Sequence, residues 1–195
     1  MNYPNKIKKE YHKNINYANR GMDLEDIIND TNEYLLSKDI AVIYKKPTPI
    51  GVVKVSYENN KQIINKAYFA KESTLDYNGI YKGKYIEFDA KSTLSKTSFP
   101  INNVSKHQIE HIKRIIKHKG IVFLIIKMNA FYYLLNGVDF ISFIDNNTRK
   151  SIPYNFIKEY GFELEYNYNK GLNYIKYVDI IGGITYEENQ IKKES

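Results

Sequence analysis

A chain of 195 residues with a net charge of +7 is long enough for one ordinary core and basic enough to suit a polyanionic partner or a membrane surface. It contains no cysteine, which excludes structural disulfides, thiolate zinc sites and cysteine nucleophiles. The longest apolar run, Ile121 to Ile126, falls far short of the ~20 residues that span a bilayer, and the polar N-terminus lacks a signal peptide's apolar stretch. The expectation is a soluble cytoplasmic protein without a membrane partner.

Residues 1–20 show no hydrophobic period and carry Lys6, Lys8, Lys9, Lys13 and Arg20, the pattern of a flexible basic arm. Leu24, Ile27, Ile28, Thr31 and Leu35 then share one helical stripe. Asp23, Glu25 and Asp26 crowd its first turn, where the helix dipole favours negative charge. Ile40 to Tyr44 reads as a buried strand. Two prolines and a glycine in Lys45-Lys46-Pro47-Thr48-Pro49-Ile50-Gly51 interrupt the pattern. Extended segments at Val52–Tyr57 and Ile63-Ile64 flank the polar turn Glu58-Asn59-Asn60-Lys61. Residues 45–70 are therefore read as an insertion, either a protruding element with aromatics at Tyr68-Phe69 or a plain surface hairpin.

A hairpin from Asp76 to Lys91 follows, with Tyr77-Asn78-Gly79 as its turn residues. A loop through Lys96-Thr97-Ser98-Phe99-Pro100 leads to a helix over about 104–118, with Ile109, Ile112, Ile115 and Ile116 on its apolar side and Gly120 marking its end. Strands are expected at Ile121–Lys127, apolar enough to be central, and at Phe131–Leu135. Helical turns near Val138–Asp145 and Pro153–Tyr160, a strand near Tyr174–Val178 and a polar tail over 184–195 complete the chain. There is no strict βαβ alternation. The pattern predicts an α/β domain over 21–183, a mixed central sheet flanked by helices.

The chemistry concentrates at Asp76 and Asp89-Ala90-Lys91. Alternation along Tyr85-Ile86-Glu87-Phe88-Asp89-Ala90-Lys91 puts Ile86, Phe88 and Ala90 on one face, and Tyr85, Glu87, Asp89 and Lys91 on the other. A hairpin of this length brings both aspartates to one cation. Phosphodiester hydrolysis needs a cation that binds a phosphate oxygen, activates a water and stabilises the leaving oxygen. Magnesium does this with one or two carboxylates, substrate oxygens and retained waters. The backbone carbonyl of Ala90 is a further donor, and Lys91 would orient the water or stabilise the phosphorane charge. The competing reading is a solvated strand face with a weak ion pair. A second competitor is zinc peptidase chemistry, since His107-Gln108-Ile109-Glu110-His111 matches H-x-x-E-H, with two histidines one helical turn apart.

Several ordered blocks resemble the RecU Holliday junction resolvases of bacteria. They are Asn19-Arg20-Gly21-Met22 with Leu24-Glu25, Lys45-Lys46-Pro47-Thr48-Pro49-Ile50 and Ala67-Tyr68-Phe69. Ser73-Thr74-Leu75-Asp76-Tyr77-Asn78-Gly79-Ile80-Tyr81-Lys82-Gly83, Lys96-Thr97-Ser98-Phe99-Pro100, His107-Gln108-Ile109-Glu110-His111 and Lys150-Ser151-Ile152-Pro153 continue the similarity, which spans about residues 19–181. The resemblance implies a restriction-endonuclease-like fold of the PD-(D/E)xK type. It also implies a homodimer that nicks two opposed strands of four-way junction DNA with magnesium, manganese substituting, in recombination and repair. A recombinase or branch-migration helicase would be a protein partner. Carried over by position, Thr74, Asp76, Asp89 and Gln108 would form the metal site, and Lys91 would stabilise the transition state. Residues 45–70 would be a stalk that enters the junction, with Tyr68 and Phe69 near its base. Arg20, Lys45 and Lys46 would contact DNA. Two departures stand out: Asp89 replaces the family's usual glutamate, one methylene shorter, and Leu75 stands where the wider motif has proline. A non-catalytic junction-binding protein of the same fold is the alternative.

Overall fold

The apolar stripe beginning at Leu24 forms α1 (Leu24–Ser37), which buries Leu24, Ile27, Ile28, Thr31, Asn32 and Leu35. Each fully buried aliphatic side chain contributes about 1.5–3 kcal/mol, so this face rather than helix propensity holds the element. The computed structural model describes residues 23–47, 49–59, 61–69 and 74–183. The expected basic arm with Arg20, and the tail 184–195, lie outside the described residues.

Six strands form the main sheet: β1 (Val42–Lys45), β4 (Tyr77–Tyr81), β5 (Lys84–Ser92), β7 (Ile121–Met128), β8 (Phe131–Asn136) and β10 (Phe162–Leu164). They lie in the order β1-β4-β5-β7-β8-β10. Only the central β5–β7 pair is parallel; the other four ladders are antiparallel. This is the mixed sheet flanked by helices that the sequence and the resemblance lead one to expect. On one face α1 and α5 (Tyr174–Ile181) pack over Ile86, Phe88, Phe123 and Ile125. On the other, α2 (Lys106–Lys117), α3 (Gly137–Asn146) and α4 (Tyr154–Tyr160) cover Val122, Leu124 and Ile126. Both faces of β7 are thus buried, as its unbroken apolar run requires. Tyr77, Phe88 and Phe123 stack across three strands at 4.9 and 4.7 Å between centroids.

Four expectations are corrected. The segment at Ile40–Tyr44 is an edge strand rather than a buried one: Ile43 is buried while Val42, Tyr44 and Lys45 are exposed. The hairpin turn is Lys82-Gly83, not Tyr77-Asn78-Gly79. Both turn residues take positive φ, 46° and 74°, the geometry of a two-residue hairpin. Gly79 is a strand residue, and it is glycine because a Cβ there would lie 2.1 Å from the Val42 carbonyl oxygen of the adjacent β1. The segment at Tyr174–Val178 is helix α5, not a strand. Tyr174 and Val178, one turn apart, point together into the core, and a single short window cannot separate that spacing from a strand's.

The fourth correction matters most for function: on the polar face of β5, Glu87 and Asp89 are buried rather than solvated. Outside the main sheet, β2 (Ile50–Glu58) and β3 (Lys61–Phe69) pair with each other alone among the described residues. Their hairpin exposes Val52, Val53, Val55, Tyr57, Ile63, Ile64 and Tyr68. A short pair of strands, β6 (Ser98–Pro100) and β9 (Ser151–Pro153), fastens the loop before α2 to the segment before α4.

Candidate functional site

Residues Tyr85, Glu87, Asp89 and Lys91 alternate with Ile86, Phe88 and Ala90 as read from the sequence, yet Glu87 and Asp89 are only 1% and 0% exposed. The cause is register. Glu87 pairs with Val122 and Asp89 with Leu124 on the parallel neighbour β7, so both carboxylates point to the face that α2 covers. A solvated strand face with a weak ion pair is therefore excluded. Charges placed here must be matched by specific partners.

Asp89 is matched on one oxygen only. Its Oδ2 accepts hydrogen bonds from Gln108 Nε2 at 2.7 Å and Lys91 Nζ at 3.0 Å. Its Oδ1 is buried and has no hydrogen-bond partner. Burial and the adjoining Asp76 carboxyl push the Asp89 carboxyl up to about 7, against the opposing charge of Lys91. A buried carboxylate oxygen without a donor, beside a second carboxylate, is a place that a hard cation satisfies. Among the described residues no group of three or more His, Cys, Asp or Glu could hold a metal. A cation at Asp76 and Asp89 must complete its shell from main-chain, water and substrate oxygens, which suits magnesium better than zinc.

The segment that carries Thr74 and Asp76 is pinned from three sides. Lys46 donates from its backbone N–H to the Asp76 carbonyl at 2.7 Å and from Nζ to Thr74 Oγ1 at 2.7 Å. Gln108 Nε2 reaches the Thr74 carbonyl at 3.0 Å. The Leu75 N–H points to Glu87 Oε1 at 3.4 Å. Gln108 sits at the start of α2, and its Oε1 accepts the Ser105 N–H at 3.1 Å, half of a capping box. Its amide oxygen is thus occupied by the helix cap, while its NH2 ties Asp89 to Thr74.

Sequence reasoning missed Glu87 as a site residue. It receives Lys46 Nζ in a short ion pair, Tyr85 OH at 2.6 Å and His111 Nε2 at 3.0 Å. Burial opposes its ionisation, but the bonds from Lys46, Tyr85 and His111 outweigh it and hold the carboxyl below its ordinary value. One signal was available, since Glu87 shares the parity of Asp89. The partners come from β1's end, β5 and α2, and no sequence spacing joins those.

The remaining expected site residues are dispersed. Lys91 lies beside Asp89, one-fifth exposed. Lys45 faces outward and pairs with Glu25 of α1, whose hydrogen bond raises its pKa. Lys46, expected to touch DNA, turns inward to Glu87 and Thr74. Tyr68 is exposed on β3, its ring across the hairpin over Gly51, where any Cβ would lie 2.4 Å from the ring. Arg20 and the side chain of Phe69 lie outside the described residues. The two histidines of the H-x-x-E-H match diverge: His107 Nδ1 lies 2.9 Å from Ser105 Oγ, whereas His111 meets Glu87.

Residues 19–180 match the family model described as Recombination protein U, RecU. The Holliday junction resolvase RecU of Bacillus mycoides strain KBAB4 is 47% identical over 175 residues, covering 87% of this chain and 88% of that protein. The Holliday junction resolvase RecU of Bacillus cytotoxicus strain DSM 22905 is 46% identical over 184 residues, covering 91% and 90%. The solved structure of Hjc, a Holliday junction resolvase from Archaeoglobus fulgidus, superposes with a TM-score of 0.41 at 10% identity, over 71% of this chain and 94% of that one.

Proposed function

From the premise that this chain belongs to the RecU family, we propose that it is a metal-dependent endonuclease that nicks opposed strands of four-way DNA junctions in recombination and repair. The observation that carries the chemistry is the partnerless, buried Oδ1 of Asp89 beside Asp76. Asp76 and Asp89 would hold magnesium, with manganese as a substitute, and Thr74 adjoins them. Bound there, the cation would activate a water and stabilise the leaving 3′-oxygen.

The protein's own residues prepare that site. Gln108 fixes the rotamer of Asp89 and the backbone at Thr74 together, so it positions rather than ligates. Lys91 neutralises Asp89 and, one-fifth exposed, presents its ammonium toward the phosphate. Lys46 and Glu87 lock the Thr74–Asp76 segment against α2. The shorter Asp89 side chain, in place of the family's usual glutamate, fits a centre in which α2 closes directly onto β5. The exposed apolar and aromatic side chains of the β2–β3 hairpin suit insertion among unstacked bases at a junction's centre. A C2 homodimer supplies two equivalent sites for two opposed cuts. No helix among the described residues is long and apolar enough to cross a membrane.

The test is cleavage of a labelled four-way junction and a matching linear duplex, with and without magnesium, beside Asp76→Asn. Paired nicks confined to the junction, dependent on magnesium and lost in the variant, are expected. Tight junction binding with no cut in magnesium or manganese would replace the enzyme with a junction-shaping protein.

A further inference from the structure

The packed seam between β5 and α2 runs on past the buried carboxylates. Asp89 meets Gln108, Glu87 meets His111 one helical turn on, and Tyr85 lies against the next turn. There the seam opens into a cavity of about 480 Å³ lined by Tyr85, His111, Arg114, Ile115, His118 and Gly120. Its walls are the Tyr85 ring and Ile115. Gly120 keeps it open, since a Cβ would sit 2.7 Å from Ile115 Cγ2 and 3.4 Å from Tyr85 Cδ1. Arg114 and His118 lie exposed at its rim, His111 is tied inward to Glu87, Lys117 and Lys119 flank it exposed to solvent, and no carboxylate among the described residues lines it. The Tyr85 hydroxyl is held by Glu87 at 2.6 Å, so the half-exposed ring is fixed in orientation before anything binds.

An aromatic wall, an apolar floor and the Arg114 guanidinium at the rim together match one nucleotide: a base face against Tyr85 and a phosphate on Arg114, with the His118 ring as a further hydrogen-bond donor. The volume lies within the roughly 300–1,000 Å³ of small-molecule sites. Tyr85 and Asp89 are four residues apart on one strand, about 13 Å. At about 3.4 Å per nucleotide along a stacked strand, that is three to four nucleotides. We propose that this cavity holds one nucleotide of the bound DNA, three to four positions from the scissile phosphate, and so helps to choose where the junction is cut. The inference rests on the nuclease reading above.

The experiment uses the full chain carrying Asp76→Asn, so that DNA stays uncut, and junctions bearing 2-aminopurine at successive positions around the cleavage site. A fluorescence change at a single position three to four nucleotides from the cut is expected. Adding Arg114→Ala with His118→Ala should abolish it, weaken binding about tenfold and lower the slope of log affinity against log salt by about one. Arg114 is exposed on α2 and His118 is exposed at its C-cap, and an unchanged melting temperature certifies the fold. Weaker binding with no responsive position means a phosphate contact only and overturns the nucleotide pocket. So does an unaltered affinity with an unaltered signal. If the unsubstituted chain fails to cut junctions, the nuclease reading falls, while the fluorescence still reports on the cavity by itself. Failure to bind any junction overturns both.

Discussion

Asp89 makes the metal-free protein's stability depend on pH in a direction opposite to most carboxylates. Its carboxyl rises from 3.8 to about 7, first through burial and then through Asp76. The folded state therefore binds the proton more tightly than the unfolded chain does. The stabilisation is complete below about pH 4, is lost as pH rises toward 7, and does not fall further above it. A shift of this size is worth about 4 kcal/mol at 1.36 kcal/mol per unit, and about half of it falls between pH 5.5 and 8. Asp89→Asn keeps the shape and the contacts to Oδ2's position but removes the titration. In EDTA, urea unfolding at pH 5.5 and pH 8 should show the unsubstituted protein losing about 2 kcal/mol more than Asp89→Asn across that interval. Subtracting the variant cancels the contributions common to both proteins. Magnesium should then raise the stability of the unsubstituted protein at pH 8 and leave the variant nearly unmoved. Parallel pH profiles for the two proteins would refute the buried, cation-demanding Asp89.

Two further perturbations test the framework around it. Glu87→Ala strands Lys46, Tyr85 and His111 around a buried gap, and removal of one partner from such a network costs about 3–5 kcal/mol. Urea midpoints should fall accordingly, and a loss under 1 kcal/mol would mean that the hub does not hold the Thr74–Asp76 segment. The lowered pKa of Glu87 adds stability that is present above its ordinary value and lost on acidification below it, so the variant should also lose the acid limb of the pH profile. Gly79→Ala drives a Cβ to 2.1 Å from the Val42 carbonyl, and backbone cannot yield as a side-chain tip can. It should lower stability by at least about 1–3 kcal/mol in thermal melts, whereas Gly83→Ala meets open space and pays only for its positive φ.

Much of the site is legible along the chain. The two-residue period of Tyr85–Lys91 places Asp89 and Lys91 on one face, and the α1 stripe from Leu24 to Leu35 is the stripe that is buried. The apolar run Ile121–Ile126 announces a central strand. These are local patterns, because alternation and helical pitch are properties of neighbouring residues. What the tertiary structure alone decided is which face of β5 lies against α2, and that depends on the parallel register with β7, formed across more than thirty residues of intervening chain. That register converts a polar strand face into a buried carboxylate pair, turns Lys46 from a surface cation into a partner of Glu87, and leaves Asp89 with one oxygen unmatched. Burial and charge compensation are long-range quantities. A sequence names the charged groups, but only the packed chain determines which of them water can still reach.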